Sequence, residues 1–281
     1  MTPSAAPQAG WGIDRLDLDA YLERIGYSGA LDADADTLRG LHRAHAAAIP
    51  FENLDVVLGR GIELDLERVQ DKLVRRRRGG YCFEQNLLFA AVLERLGYAV
   101  TRLAARVQPS QSGVRTHMLL RVEAGAKPWL ADVGFGASLL EPVPMESGTT
   151  RQGGWTYRLD RAEPDAAWLL SAGRPDGWSE MYSFTLEPQR PIDYAVYNHY
   201  TATHPRSPFV SQIVLQRIEP HVQHALHGRE LTATRPDGTT ETRQIKDDEL
   251  PGVLDERFGI SLTDDEAAAL RRAAASVDGT G

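Results

Sequence analysis

The sequence predicts an α+β fold in which a helical unit comes first, a β unit follows, and a mixed α/β segment ends the chain. Up to Gly97, apolar residues recur at the three- and four-residue spacing of helices. After Gly97, short runs with β-branched residues alternate with turn-forming pieces, which indicates an antiparallel sheet or a small barrel. From about residue 190, helical and strand signals mix. We therefore expect three units, at residues 1–97, 98–195 and 196–281.

The first unit is predicted to contain helices that begin at capping residues or chain breaks. Asp17 caps the first helix, the second ends before Pro50, and Gly97 follows the last as its C-terminal glycine. Gly79 and Gly80 interrupt the chain between the third helix and the last. The positions that define these helices are Leu18, Leu22 and Ile25; Leu38, Leu41 and His45; Leu66, Val69 and Leu73; and the run from Glu84 to Leu96.

Strands dominate the next hundred residues. The expected strands are Ala99–Val107, Arg115–Glu123, Pro128–Val133, Thr156–Leu159, Trp168–Ser171 and Met181–Leu186. A linker rich in proline and tyrosine then leads to strands near Ile213–Arg217 and Leu231–Thr234. A hairpin is expected at Asp237-Gly238, and a final helix over Thr263–Ala274.

Composition narrows the classes of protein that fit. The 281 residues are 42% apolar and 25% charged, as in ordinary globular proteins, and the net charge of -8 argues against nucleic-acid binding. The arginines Arg75 to Arg78 are interpreted as a solvated helix end. A single cysteine excludes an intramolecular disulfide, Met1–Trp11 is unlike a signal peptide, and the longest apolar run, Leu87–Leu93, is too short to span a bilayer. We expect a soluble cytoplasmic protein that does not bind membranes.

Cys82 is the first candidate for chemistry. It lies directly after the Gly-Gly break and at the start of a strongly helical segment. A helix N-terminus carries partial positive charge, which favours the thiolate over the thiol. Position alone leaves the alternative open, because a lone cysteine is most often a buried and unreactive core residue.

A cysteine nucleophile needs a base and a group that orients the base. His117 is the histidine that lies within a strand-like run, and Asp132 follows fifteen residues later near the end of the next apolar run. Two neighbouring antiparallel strands would place these side chains together. The alternatives are a structural histidine and a turn-forming aspartate before Gly134. One cysteine and no HExxH pair leave no recognisable zinc site, so no metal is expected.

Several motifs in order resemble those of the arylamine N-acetyltransferase family. The resemblance extends from about residue 18 to 217. It is carried by Pro50-Phe51-Glu52-Asn53-Leu54, Arg78-Gly79-Gly80-Tyr81-Cys82-Phe83-Glu84-Gln85-Asn86, Thr116-His117, Asp132-Val133-Gly134-Phe135-Gly136, and Asn198-His199 with Thr203, Pro205, Ser207 and Phe209.

The resemblance implies a helical bundle, an antiparallel β-barrel and an α/β lid around a cysteine-protease-like catalytic core. It implies acetyl-coenzyme A as donor and arylamines, arylhydrazines or N-hydroxyarylamines as acceptors. By position, Cys82 is the acetylated nucleophile, His117 its base and Asp132 the orienting group. The resemblance also places Phe83, Phe135 and Phe209 in the acceptor pocket, and Thr116 and Gly136 near the coenzyme A path.

Other functions fit the same residues. An amide synthase that closes a macrolactam would take its acyl group from a carrier protein, and a cysteine hydrolase or transglutaminase-like enzyme would use the same three groups on peptide bonds. A ligand-binding protein with an inert Cys82 is the non-catalytic alternative. The expected partners are small molecules, and the chain is expected to be a monomer or a homodimer.

Overall fold

The helices of the computed structural model lie mostly at the two ends of the chain. The structure describes residues 10–111, 113–162 and 167–278. Asp17 caps the first helix and Asp34 caps the second, each accepting a backbone N–H of the first turn. The helices are α1 (Leu18–Ile25), α2 (Ala35–Ala48), α3 (Leu54–Val57), α4 (Leu66–Gln70, continuing as a π-helical turn to Arg75), α5 (Cys82–Arg95), α6 (Pro191–Thr203), α7 (Pro208–Ser211), α8 (Leu250–Phe258) and α9 (Asp264–Asp278).

The strands form two antiparallel sheets. They are β1 (Phe51–Glu52), β2 (Ala99–Val107), β3 (Arg115–Ala124), β4 (Lys127–Ala131), β5 (Val143–Pro144), β6 (Gly148–Gln152), β7 (Trp155–Ala162), β8 (Ala167–Arg174), β9 (Gly177–Phe184), β10 (Val214–Ile218), β11 (Gln223–His227), β12 (Glu230–Thr234) and β13 (Thr240–Gln244). One sheet has the order β5-β4-β3-β2-β9-β8-β7-β6 and is nearly closed into a barrel. The other has the order β1-β10-β11-β12-β13.

Gln152 connects the two edges of the barrel sheet. It lies at the end of β6, and its side-chain oxygen accepts the backbone N–H groups of Leu140 and Glu141 at 2.9 and 3.1 Å. Its amide nitrogen donates to the carbonyl oxygen of Glu141 at 2.7 Å. Because these residues immediately precede β5, the hydrogen bonds stabilise the segment between β4 and β5.

Helix α5 joins the helical unit to the barrel. Its residues from Cys82 to Leu93 are all buried, and it packs with Met118 and Val122 of β3 in one apolar core. A Cβ atom on Gly79 would lie 2.3 Å from the carbonyl oxygen of Pro50, so only glycine allows the chain to pass this closely before α5 begins. The Gly-Gly break therefore sets where the helix starts, and Cys82 is its first residue.

The α+β fold class predicted from the sequence is confirmed. The segment expected to be a linker after residue 190 is instead helix α6. Its proline supplies the first helical position, and its buried Tyr194 packs against α5. Helix α6 crosses residue 195, and the division into units at 97 and 195 stays a prediction.

Strand β1 also departs from the expectation, because a segment of the N-terminal unit pairs with β10 of the C-terminal unit. The capping box of the final helix is confirmed by reciprocal hydrogen bonds between Thr263 and Glu266. No helix within the described ranges is both long and apolar enough to cross a bilayer.

Candidate active site

Cys82 occupies the first position of α5 and is only 4% exposed. Its Sγ atom lies 3.5 Å from the carbonyl oxygen of Thr116 on β3. The expected position at a helix N-terminus is confirmed. The unpaired backbone N–H groups of the first turn give this end of α5 a partial positive charge.

His117 lies on β3 where the pairing with β2 becomes irregular. The register passes from His117 opposite Ala105 to Arg115 opposite Arg106, so Thr116 has no partner on β2. Such a bulge changes the direction of side chains along a strand. The ring of His117 packs against the rings of Phe135 and Tyr182, with centroid distances of 5.0 and 4.9 Å.

Asp132 follows the last residue of β4, and β4 pairs with β3. Its Oδ2 atom lies 2.7 Å from Nε2 of His117, so the sequence-based expectation that the two side chains meet across neighbouring strands is confirmed. Its Oδ1 atom accepts the side-chain N–H of Asn86 at 2.9 Å and the backbone N–H of Gly134 at 3.0 Å.

The electrostatics favour an ionised pair. Burial alone would lower the pKa of His117, but the charge and hydrogen bond of Asp132, together with the hydrogen bond and charge of Cys82, raise it to about 10. Burial alone would raise the pKa of Asp132, but His117 and the side chain of Asn86 hold it below its usual value. Since Nε2 of His117 faces Asp132, Nδ1 is the ring nitrogen left for Cys82.

Asn86 of α5 forms hydrogen bonds both to β3 and to the residues that follow β4. It lies one helical turn after Cys82, and its amide nitrogen also donates to the carbonyl oxygen of Met118 at 2.7 Å. Its side-chain oxygen accepts the backbone N–H of Val133 at 3.2 Å. The loop passes close to the helix, because a Cβ atom on Gly134 would lie 2.8 Å from Cα of Cys82.

A buried charge network lies beneath the N-terminus of α5. Lys72 Nζ is 2.9 Å from Glu84 and 3.0 Å from Asp55, and Arg78 is 2.9 Å from Glu52. Burial lowers the pKa of Lys72, but the surrounding carboxylates raise it above its usual value. The interpretation of the arginine run as a solvated helix end is therefore wrong for Arg78, whose positive charge is neutralised by buried carboxylates.

A pocket of about 630 Å³ opens in front of Cys82. Its lining includes His117, Thr116, Phe135 and Phe209, which the sequence analysis singled out. Further lining residues come from β1, the β2–β3 connection, α6, α7 and the β10–β11 pair. Besides His117, the described lining contains the basic residues Arg206 and His227. The pocket therefore combines apolar walls near the sulfur with polar and cationic groups elsewhere.

Phe83 does not line this pocket, contrary to expectation. It follows Cys82 on α5, so its side chain points about 100° away around the helix axis. It is fully buried against the rings of Tyr81 and Tyr194 and borders a separate cavity of about 120 Å³. Gly136 does not line the pocket either. It lies against the side chain of Gln216, which does line it.

Sequence reasoning missed Asn86 and His42 as parts of the site. The separation of four residues between Cys82 and Asn86, which places both on one helix face, is the signal that could have found the first. His42 lies on α2, and a position on an amphipathic helix gives no such signal. It is fully buried, and its Nε2 atom lies 3.2 Å from the backbone nitrogen of Asp132.

Comparisons with known proteins agree with this geometry. Residues 34–267 match the family model described as N-acetyltransferase. The arylamine N-acetyltransferase of Mycobacterium tuberculosis is 40% identical over 263 residues, which covers 89% of this chain and 91% of that protein. The structure of the Mycobacterium abscessus enzyme superposes with a TM-score of 0.91 at 40% identity, covering 96% of this chain and 99% of that one.

A second similar structure contains a ligand. It is the arylamine N-acetyltransferase of Mycobacterium marinum in complex with CoA, with a TM-score of 0.86, 37% identity and coverage of 93% of this chain and 99% of that one. Sequence and structure thus agree over nearly the whole chain. The chain belongs to the arylamine N-acetyltransferase family.

Proposed function

We propose that this protein transfers an acetyl group from acetyl-coenzyme A to the nitrogen of an arylamine, arylhydrazine or N-hydroxyarylamine through an acetyl thioester on Cys82. The observation that carries the proposal is the buried chain of contacts from Cys82 through His117 to Asp132 at the base of the 630 Å³ pocket. The CoA bound by the similar Mycobacterium marinum enzyme supports the choice of donor.

In the first half-reaction, Cys82 and His117 rest as thiolate and imidazolium. The thiolate attacks the carbonyl carbon of acetyl-coenzyme A, and a new C–S bond forms as the bond to coenzyme A breaks. The departing thiolate takes the proton of His117. Backbone N–H groups of the first turn of α5 face the developing oxyanion, a type of contact worth about 3 kcal/mol.

In the second half-reaction, the acceptor nitrogen attacks the acetyl group on Cys82. His117 is neutral at this stage and accepts the proton that the nitrogen loses, and Cys82 leaves as the thiolate. The resting ion pair is restored. Asp132 stays ionised throughout, because Asn86 and Gly134 donate hydrogen bonds to its Oδ1 atom and His117 donates one to its Oδ2 atom.

The pocket suits a flat, uncharged acceptor. Phe135 stands edge-on to the His117 ring, and Phe209 packs near Phe51 at a centroid distance of 5.7 Å. An aromatic amine is neutral at pH 7 and can pack between such rings. Thr116 contributes its carbonyl oxygen beside the sulfur, and we propose that Thr116 and Gly136 lie along the path of coenzyme A.

Because the nucleophile must stay a free thiol, we also propose that the protein acts in the reducing cytoplasm, as a monomer or a homodimer. The proposed reaction uses no metal ion.

Steady-state kinetics test the proposed function. Initial rates measured over a grid of acetyl-coenzyme A and arylamine concentrations should give the parallel double-reciprocal lines of a ping-pong reaction, and Cys82→Ser should be inactive. Intersecting lines, or an active Cys82→Ser variant, would contradict the thioester route. Transfer only from an acylated carrier protein would indicate the amide synthase, and hydrolysis without any amine acceptor would indicate the hydrolase.

A further inference from the structure

His42 is a buried titratable group that the reaction scheme does not use. It lies on α2, its side chain is fully buried, and its ring stands edge-on to Phe89 of α5 at 5.7 Å. Its Nδ1 atom is 3.1 Å from the carbonyl oxygen of Leu140, and its Nε2 atom is 3.2 Å from the backbone nitrogen of Asp132. One imidazole therefore bridges the two ends of the segment 132–140.

This segment forms one wall of the active site. It supplies the carboxylate of Asp132, the ring of Phe135 against His117, and the close approach of Gly134 to Cys82. Fixing both of its ends restricts how far the carboxylate can move from His117.

The bonding partners of His42 define its protonation state. A backbone N–H can only donate and a carbonyl oxygen can only accept, so Nε2 must carry a lone pair and Nδ1 must carry the proton. In an imidazolium, the N–H at Nε2 would face the backbone N–H of Asp132, and neither group could accept. In the other neutral tautomer, Nε2–H would again face that N–H, and the lone pair of Nδ1 would face the carbonyl oxygen of Leu140. The burial of His42 lowers its pKa to about 4, although the backbone carbonyl of Leu140 and the charges of Asp132 and Glu141 act to raise it.

Two imidazoles therefore lie beside Asp132, one of them charged and the other neutral. His117 faces the carboxylate and is charged, whereas His42 faces the backbone amide of the same residue and is neutral. A second cation at His42 would compete with His117 for the carboxylate. Because His42 is neutral, His117 is the only one of the two imidazoles that forms an ion pair with the Asp132 carboxylate.

We propose that His42 is a positioning residue for acyl transfer, which holds both ends of the 132–140 segment and thereby keeps the Asp132 carboxylate against His117. The role rests on the proposed function of Cys82, His117 and Asp132, but the labelling and NMR measurements that test it do not require the acetyl donor.

Three variants separate positioning from general stability. His42→Leu leaves the amide of Asp132 and the carbonyl of Leu140 buried without partners, whereas His42→Gln keeps a side-chain oxygen that can accept the amide of Asp132. Tyr157→Phe is the matched control, because it removes a 2.7 Å hydrogen bond to Ser138 in the same segment without touching Asp132.

Two assays are used. The first is the rate of iodoacetamide labelling of Cys82 as a function of pH, and the second is the steady-state measurement of kcat and KM, with kcat calculated from the concentration of folded protein. For His42→Leu we expect kcat to fall about tenfold with KM little changed, and the midpoint of the labelling profile to rise by about one pH unit. His42→Gln should recover most of both changes, and Tyr157→Phe should stay within twofold of wild type. Equal profiles and kcat values for His42→Leu and Tyr157→Phe would overturn the proposal.

A measurement on the unmodified protein covers the case in which His42→Leu does not fold. The imidazole ¹⁵N resonances of His42 at pH 7 should show a protonated Nδ1 and an unprotonated Nε2. An imidazolium or the opposite tautomer would refute the proposed role. If wild type acetylates no arylamine while the labelling profiles still separate His42→Leu from His42→Gln, the proposed function fails and the positioning role stands.

Discussion

Replacing Asp132 with asparagine removes the charge that faces His117 while leaving most of the local structure in place. The side-chain oxygen of asparagine can still accept from Asn86 and from the backbone of Gly134, as Oδ1 of Asp132 does at 2.9 and 3.0 Å. Its NH₂ group then lies where Oδ2 lay, 2.7 Å from Nε2 of His117. A donor at that point requires Nε2 to accept, so the ring must be neutral with its proton on Nδ1, facing Cys82.

The size of the effect follows from the pKa of His117. A rise from 6.5 to about 10 corresponds to roughly 5 kcal/mol of preference for the imidazolium. Without the carboxylate of Asp132, burial dominates and the ring is neutral at pH 7. Because the wrong tautomer then faces the sulfur, we expect kcat/KM of Asp132→Asn to fall by about 10³-fold or more.

Iodoacetamide labelling against pH measures this directly. Wild-type Cys82 should react well below pH 8, and in Asp132→Asn the profile should move to higher pH. Asp160→Asn is the matched control, since Asp160 is a partly exposed aspartate on β7 that pairs with Arg158. A folded Asp132→Asn variant with the labelling profile of wild type, or with a tenth of its activity, would refute the reasoning.

Three further outcomes are expected. Gly134→Ala places a Cβ atom 2.8 Å from Cα of Cys82, so we expect kcat to fall more than tenfold, which a steady-state assay will show. Lys72→Met leaves buried carboxylates without their cation, so urea titration should give a free energy of unfolding lower by about 3–5 kcal/mol. The raised pKa of His117 stabilises the fold fully below pH 6.5, and this contribution is lost as pH rises through about 10. The difference in unfolding free energy between wild type and His117→Gln should therefore be largest below pH 6.5 and shrink toward pH 10.

The local features of this protein were readable from the sequence because they depend on short-range chemistry. The glycine pair before Cys82, the cap at Asp17 and the capping box of the last helix all act within a few residues. The pairing of His117 with Asp132 was also predictable, since His117 lies on β3, Asp132 directly follows β4, and these consecutive strands form a hairpin. The motif resemblance then identified the family correctly.

Contacts between segments that are distant in the sequence could not be predicted in the same way. The exposed or buried state of Arg78 depends on Glu52, and the role of His42 depends on a backbone amide ninety residues away. Phe83 is placed by the rotation of α5, which its motif position does not reveal. Helix α6 was missed because its tyrosines and proline suggested a linker, although packing of Tyr194 against the core stabilises it.

The central claim is that Cys82 carries the acetyl group. Intact-mass analysis of the wild-type protein after incubation with acetyl-coenzyme A and no acceptor should show one added acetyl group, which peptide mapping places on Cys82 and which an arylamine removes. An active wild-type enzyme that shows no added acetyl group, or an acetylated Cys82→Ser variant, would contradict the account.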